Sequence, residues 1–225
     1  MSLKDNLEIV KNNIKRAALK VNRDPAEIVL VAVSKMVEID IIKEAYALGQ
    51  VDFGENRVQS LKPKSEALPQ ARWHLIGQLQ TNKVRDVIGR ACLIHSLDRW
   101  NLAEEIDRQA RGRGIVMPAL LEINIAGEEQ KAGLTPPDVE SFLDAVGQLS
   151  NIQVQGFMTM APLLEDPEAA RPVFHELNAL YRRLKGNNYQ NVDLKYLSMG
   201  MSQDYEVAIE EGANIIRVGT AIFHH

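Results

Sequence analysis

The sequence contains one cysteine, Cys92, in 225 residues, which excludes an intramolecular disulfide framework. Cys92 lies in an apolar run and reads as a buried, inert thiol. No Cys/His cluster has the spacing of a zinc site, so no metal is expected. No apolar run approaches membrane-spanning length, and the start Met1-Ser-Leu-Lys-Asp5 lacks an apolar signal region; a cytoplasmic location without membrane attachment is the expectation. A basic stripe is also missing. The formal net charge is −4, and the locally basic stretch 108–113 reads as a solvated helix end, which argues against a nucleic-acid partner. No Pro/Gly/Ser-rich linker, internal repeat or low-complexity tract divides the chain. Residues 1–225 are therefore expected to form a single domain, of a size that α/β barrels reach. His224-His225 reads as the start of a purification tag and is given no functional weight.

What is present is an ordinary globular composition, 45% hydrophobic and 25% charged, arranged as short apolar runs between amphipathic segments. A first helix is expected over 4–21, with Leu7, Val10, Ile14, Ala17, Ala18 and Val21 at helical spacing. Strands follow at 29–33, 51–53, 72–76, 92–95, 118–123, 154–158, 194–197 and 214–217. Between them run helical patterns at 38–48, after Arg57 to about 67 (with Pro63 as a kink or split), 84–89, from an Asp98 N-cap through Arg111, 135–149, 167–185 and 204–211. Strands alternating with helices mean parallel βαβ units. The expected fold class is α/β: a (β/α)8 TIM barrel with an extra N-terminal helix. An open doubly wound sheet is the competing architecture, but no Gly-x-Gly-x-x-Gly follows the first strand.

A barrel carries its active site at the C-terminal ends of its strands. The run Val29-Leu-Val-Ala-Val-Ser-Lys35 delivers a lysine to that end of the first strand. A lysine there either snorkels to water or, as a neutral amine, forms a Schiff base. Ser198-Met-Gly-Met-Ser202 and Val218-Gly-Thr220 follow the last two strands. They supply hydroxyls, glycine-freed N–H groups and a helix start near Gln203, which suits a phosphate. Arg217 is either a phosphate or ring-nitrogen ligand or half of a structural salt bridge. Lysine and phosphate loops across one barrel mouth suggest a phosphorylated carbonyl compound held as an imine. Pyridoxal 5′-phosphate (PLP) fits that description, and a sugar-phosphate aldolase would use the same two ends.

Longer motifs go further. Val31-Ala-Val-Ser-Lys35, Phe53-Gly-Glu-Asn-Arg-Val-Gln59, Trp73-His-Leu-Ile-Gly-Gln-Leu-Gln-Thr-Asn-Lys83, Gly156-Phe-Met-Thr-Met160, Leu197-Ser-Met-Gly-Met-Ser202 and Ile216-Arg-Val-Gly-Thr220 run in order over nearly the whole chain. Together they resemble the YggS/PROSC family of pyridoxal phosphate homeostasis proteins. The resemblance implies a barrel similar to the N-terminal domain of alanine racemase, with Lys35 holding PLP as a Schiff base. It places Ser198, Met199, Gly200, Ser202, Gly219 and Thr220 in the phosphate-side loops. Arg217 would face the pyridine nitrogen, as in the similar racemase motif, without giving it a full proton. Asn56 and Met160 would lie beside the ring and His74 near it; as a strand residue, His74 also reads as a hydrogen-bonded core histidine.

A racemase needs an acid/base group on each face of the substrate carbon. In alanine racemases the second one is a tyrosine from a separate C-terminal domain. This sequence ends just after its last expected strand, so that domain is expected to be absent. Tyr46, Tyr181, Tyr189 and Tyr196 fall away from the expected mouth; Tyr205, early in a helix, is the nearest exception and also reads as ordinary helix packing. The expectation is a monomeric PLP-binding protein of intracellular vitamin B6 homeostasis, not an enzyme, with PLP-requiring apo-enzymes as the partners that delivery implies. A small PLP-dependent racemase and a PLP-independent sugar-phosphate lyase are the alternatives.

Overall fold

The computed structural model describes residues 2–128, 132–162 and 165–223. Among these residues the strands β1 (Val29–Val33), β2 (Asp52–Glu55), β3 (Arg72–Leu75), β4 (Ala91–Leu97), β5 (Met117–Glu122), β6 (Ile152–Met158), β7 (Val192–Ser198) and β8 (Ile215–Val218) pair in sequence order. β8 returns to pair in parallel with β1, Val31 opposite Arg217, so the sheet closes and has no free edge. Helices α2 (Ile39–Ala47), α3 (Val58–Ala67), α4 (Val84–Val87), α5 (Trp100–Arg111), α6 (Val139–Val146), α7 (Arg171–Lys185) and α8 (Tyr205–Glu210) provide the crossovers. The expected TIM barrel is the observed one.

Two apolar clusters divide the core. Val31, Leu93, Leu120, Met158 and Ile215, from β1, β4, β5, β6 and β8, meet inside the barrel. A larger cluster lies between strands and helices and includes Phe53, Leu75, Phe157 and Phe174. Each such side chain contributes about 1.5–3 kcal/mol by leaving water. β1 and β5 are covered on both faces and read as nearly continuous apolar runs, whereas β6 and β7 begin with alternating apolar and polar residues, the polar ones partly or fully exposed.

The extra helix, α1 (Leu3–Lys20), starts at a capping box between Ser2 and Asp5. Its apolar stripe, Leu7 to Ala18, packs outside the barrel against α8 and a last short helix, α9 (Thr220–Phe223). Asn6 Nδ2 donates to Ile222 O at 3.0 Å and Arg23 to Ile209 O and Ala213 O at 2.8 Å, tying the two ends of the chain together. No helix among the described residues is long and apolar enough to cross a membrane.

Three local expectations change. Asp98 does not cap α5: β4 runs on to Leu97, Arg99 becomes the N-cap without a side-chain bond, and Asp98 accepts from Arg99 at 2.5 Å instead. Pro63 does not split α3, which passes through it from Val58 to Ala67. Cys92 is exposed rather than buried, because β4 starts at Ala91 and leaves Cys92 at the open foot of the barrel. His224-His225 and part of the polar loop 127–133 lie outside the described residues.

Candidate functional site

At the C-terminal ends of the strands the barrel opens into a cavity of about 680 Å³, within the range of small-molecule sites. Its wall brings together Lys35, Asn56, Met160, Ser202, Arg217, Gly219 and Thr220 from the expected set.

Lys35 is exposed, in the turn that leaves β1. The turn is fixed from behind by a buried network. Ser34 Oγ donates to Glu55 Oε1 at 2.7 Å, and Lys64 Nζ reaches the same oxygen at 2.6 Å and Ser34 O at 2.7 Å. Met36, next in the chain, takes a left-handed φ of 62° while 92% exposed. Such a conformation costs a non-glycine residue energy and marks an over-determined turn. Asn56 follows Glu55 at the end of β2. Its backbone is touched by Gly77, where a Cβ would sit 2.2 Å from Asn56 O. Only glycine allows the loops after β2 and β3 to come that close.

Across the mouth, the loops after β7 and β8 interlock. Ser202 Oγ accepts from Gly219 N at 3.2 Å and from Ala221 N at 3.5 Å. The N–H groups of Ser202, Gln203 and Thr220 have no acceptor among the described residues. The loop bends at Gly200, φ 90°, where a Cβ would meet Ala208 Cβ at 2.6 Å and Tyr205 Cα at 2.9 Å. α8 starts at Tyr205, later than expected, and Asp204 at its N-cap turns its carboxylate to Met201 N at 2.5 Å. The anion donors at this mouth are thus loop N–H groups and hydroxyls before α8, together with the first N–H of the short helix α9 at Thr220.

Arg217 forms the floor. It is 4% exposed, and it donates to Ser198 Oγ at 2.5 Å and to Thr159 O at 2.9 Å. Burial lowers its pKa to about 10, opposed by the carboxylates of Asp204 and Glu122. It therefore stays charged at neutral pH, and it makes no ion pair at salt-bridge distance with any described residue. The salt-bridge reading of Arg217 gives way to a buried guanidinium held by a hydroxyl and a carbonyl.

Four expected residues lie behind the wall. Met199 is fully buried in the core, Gly200 shapes the loop, and Ser198 stands behind Arg217. His74 lies deeper in the barrel, between Asp52 Oδ1 at 2.9 Å and His95 Nε2 at 3.0 Å, as a hydrogen-bonded core histidine. The physical reason is parity along the strands. His74 and Ser198 point to the barrel axis below the level of the cavity, and Met199 points outward.

Sequence reasoning missed Glu122, Asp204 and Gln78, which also line the cavity. Glu122 ends β5 at 3% exposure, and its Oε2 has no hydrogen-bond partner among the described residues. Burial first, then the charge of Asp98, pushes its pKa up to about 7, with Arg217 pulling the other way. A signal was available: a lone carboxylate closing an apolar run, as Lys35 closes β1.

The chain matches the family model described as the alanine racemase N-terminal domain over residues 6–225. It is 44% identical to the pyridoxal phosphate homeostasis protein of Aquifex aeolicus over 99% of this chain and 98% of that one. With the protein of the same name from Pseudomonas aeruginosa it shares 37% over 99% and 95%. Among solved structures, PipY of Synechococcus elongatus with PLP bound superposes with a TM-score of 0.83 at 36% identity, covering 99% of this chain and 100% of that one. An alanine racemase from Clostridium difficile, 16% identical with a TM-score of 0.73, shares the barrel over 98% of this chain and 60% of its own length. Motifs, closed barrel and relatives agree, and the chain belongs to the YggS/PROSC family of pyridoxal phosphate homeostasis proteins, within the group that shares the alanine racemase N-terminal domain.

Proposed function

We propose that this protein binds PLP in the mouth cavity, holds it covalently through the Lys35 amine, and keeps or delivers the cofactor in vitamin B6 homeostasis rather than catalysing a reaction with it. The observation that carries this is convergence: an exposed lysine amine, a set of unpaired N–H groups with hydroxyls, and a buried guanidinium share one cavity. The donor chemistry fits. Lys35 Nζ is the nucleophile for the aldehyde. Ser202, Gly219 and Thr220, with the free N–H groups of Ser202, Gln203 and Thr220, suit the phosphate. Arg217 suits the ring nitrogen as a donor that keeps its own proton, and Asn56 and Met160 flank the ring. When bound, PLP supplies an electrophilic carbonyl and an electron-withdrawing ring. Ser198, Met199, Gly200 and His74 act from behind, by holding Arg217 and the phosphate-side loop.

The carrier reading is supported by the cavity wall, to which no tyrosine among the described residues contributes, and by relatives named for homeostasis rather than for a reaction. In this reading the protein is a cytoplasmic monomer, residues 1–225 act as one domain, and PLP-requiring apo-enzymes are the recipients. One observation favours a second reading, a small PLP enzyme acting on amino acids: Glu122 is a titratable carboxyl near neutrality in the cavity wall. That reading predicts exchange of a substrate's α-hydrogen with solvent, lost in Glu122→Gln.

The deciding measurement is the visible absorbance of the purified protein, before and after borohydride reduction and peptide mapping. A yellow protein with a pyridoxyl group on Lys35 is expected. A protein that stays colourless with added PLP, or carries the group elsewhere, overturns the proposal.

A further inference from the structure

A continuous hydrogen-bonded chain crosses the inside of the barrel. Arg72 donates to Asp52 Oδ2 at 2.5 Å; Asp52 Oδ1 faces His74 Nε2 at 2.9 Å; His74 Nδ1 faces His95 Nε2 at 3.0 Å; His95 Nδ1 faces Ser198 Oγ at 2.9 Å; Arg217 donates to the same Oγ at 2.5 Å. One end is Arg217 in the floor of the mouth cavity. The other is a cavity of about 160 Å³ at the foot, where Asp52, Arg72, His74, Cys92 and Tyr196 meet. Arg72 and Cys92 are exposed there, so solvent protons reach this end. Both histidines are almost wholly buried, beside the apolar cluster inside the barrel, so each ring nitrogen needs a partner there.

We propose that Asp52, His74, His95 and Ser198 form a proton-responsive chain that sets how strongly Arg217 is held, coupling the foot of the barrel to the cofactor site. This rests on the PLP reading of the mouth.

Donor and acceptor bookkeeping allows two arrangements that differ by one proton. With His74 neutral, Ser198 Oγ–H donates to His95 Nδ1, His95 Nε2–H to His74 Nδ1, and His74 Nε2–H to Asp52. Ser198 oxygen then has Arg217 as its partner among these donors, and cooperativity along the chain strengthens that bond. With His74 protonated the direction reverses. His74 Nδ1–H donates to His95, His95 Nδ1–H donates to Ser198, and the Ser198 oxygen then accepts from two donors, one on each lone pair, so each of those bonds, Arg217's included, is weaker than in the first arrangement. Asp52 and the neighbouring Cys92 hold the His74 proton against the cost of burial, to a pKa of about 9. Burial and the charges of His74 and Arg217 keep His95 neutral. Near neutrality the protonated arrangement prevails and Arg217 is the more available. An acceptor in the cavity that draws Arg217 off Ser198 leaves His95 as the one donor to that oxygen, strengthens its bond, and so favours the proton on His74. The titratable and charged groups facing the two ends are Asp52, Arg72, Cys92 and Tyr196 at the foot and Glu122 and Asp204 beside Arg217.

Coupling is reciprocal: if PLP raises the His74 titration midpoint, the His74 proton tightens PLP by the same factor. The test is an NMR titration of the imidazole nitrogens of the full chain, without PLP and loaded with it, with loading read by absorbance in the same tube. The His74 midpoint should rise by about half a pH unit, equivalent to a roughly threefold change in affinity, while exposed His175 stays put. In Ser198→Ala, His74 should still titrate high, but its response to loading should vanish. Asp52→Asn tests the other end: it should lower the midpoint while the rise on loading persists, and an unchanged midpoint there overturns the chain if Ser198→Ala does not fold. A loaded protein whose His74 does not move, or moves equally in Ser198→Ala, overturns the chain. A protein that does not load overturns the functional reading beneath it.

Discussion

Replacing Glu122 by glutamine should stabilise the cofactor-free protein, and increasingly so as the pH rises. The Glu122 carboxyl is 3% exposed, and its Oε2 has no hydrogen-bond partner among the described residues. Its pKa is raised from 4.5 to about 7, chiefly by burial. The folded protein therefore keeps a proton that the unfolded chain has released. The resulting destabilisation is absent below pH 4.5, grows as the pH climbs toward 7, and is constant above that. Each pH unit across this window costs about 1.4 kcal/mol, so the full penalty is about 3 kcal/mol. For a chain of this size that corresponds to roughly 6–12 °C in Tm. Glutamine keeps the shape and carries no charge at any pH. Urea denaturation of both proteins across pH 4.5–8 isolates the effect, because other titrating groups cancel in the difference. A difference that stays flat with pH, or a variant that loses ground as the pH rises, would refute the placement of this carboxyl.

Lys35→Ala should abolish borohydride fixation of PLP yet retain non-covalent affinity in equilibrium dialysis, because the phosphate-side loops remain; no detectable binding would mean that those loops are misassigned. Arg217→Ala should weaken PLP binding and also destabilise the cofactor-free protein by about 1–3 kcal/mol, since Ser198 Oγ and Thr159 O lose a buried donor; unchanged affinity would remove Arg217 from the site. Gly200→Ala should lower the Tm clearly, because a positive φ and contacts below 3 Å leave no room for a Cβ; an unaltered melting curve would count against the loop geometry.

The alternation of short apolar runs with amphipathic stretches pointed to eight parallel βαβ units, and so to an α/β barrel over an open doubly wound sheet, because each helix must cover the outer face of its strands. The same logic placed Lys35, Asn56, Ser202, Arg217 and Thr220 at one mouth, since the C-terminal ends of successive strands converge there. Closure decided what parity could not. A strand that is apolar on both faces does not announce which side chains point inward, so the sequence left open that Ser198 backs Arg217 while Ser202 joins the cavity wall. His74 and His95 lie on adjacent strands with a register shift between them, and only that shift lets their rings meet. Cys92 looked like core until the start of β4 put it at the open foot. Glu122 gained its raised pKa from burial and from Asp98, a neighbour that the turn after β4 supplies. Chain order fixed the fold and the rim of the site; side-chain direction inside the closed barrel fixed its chemistry.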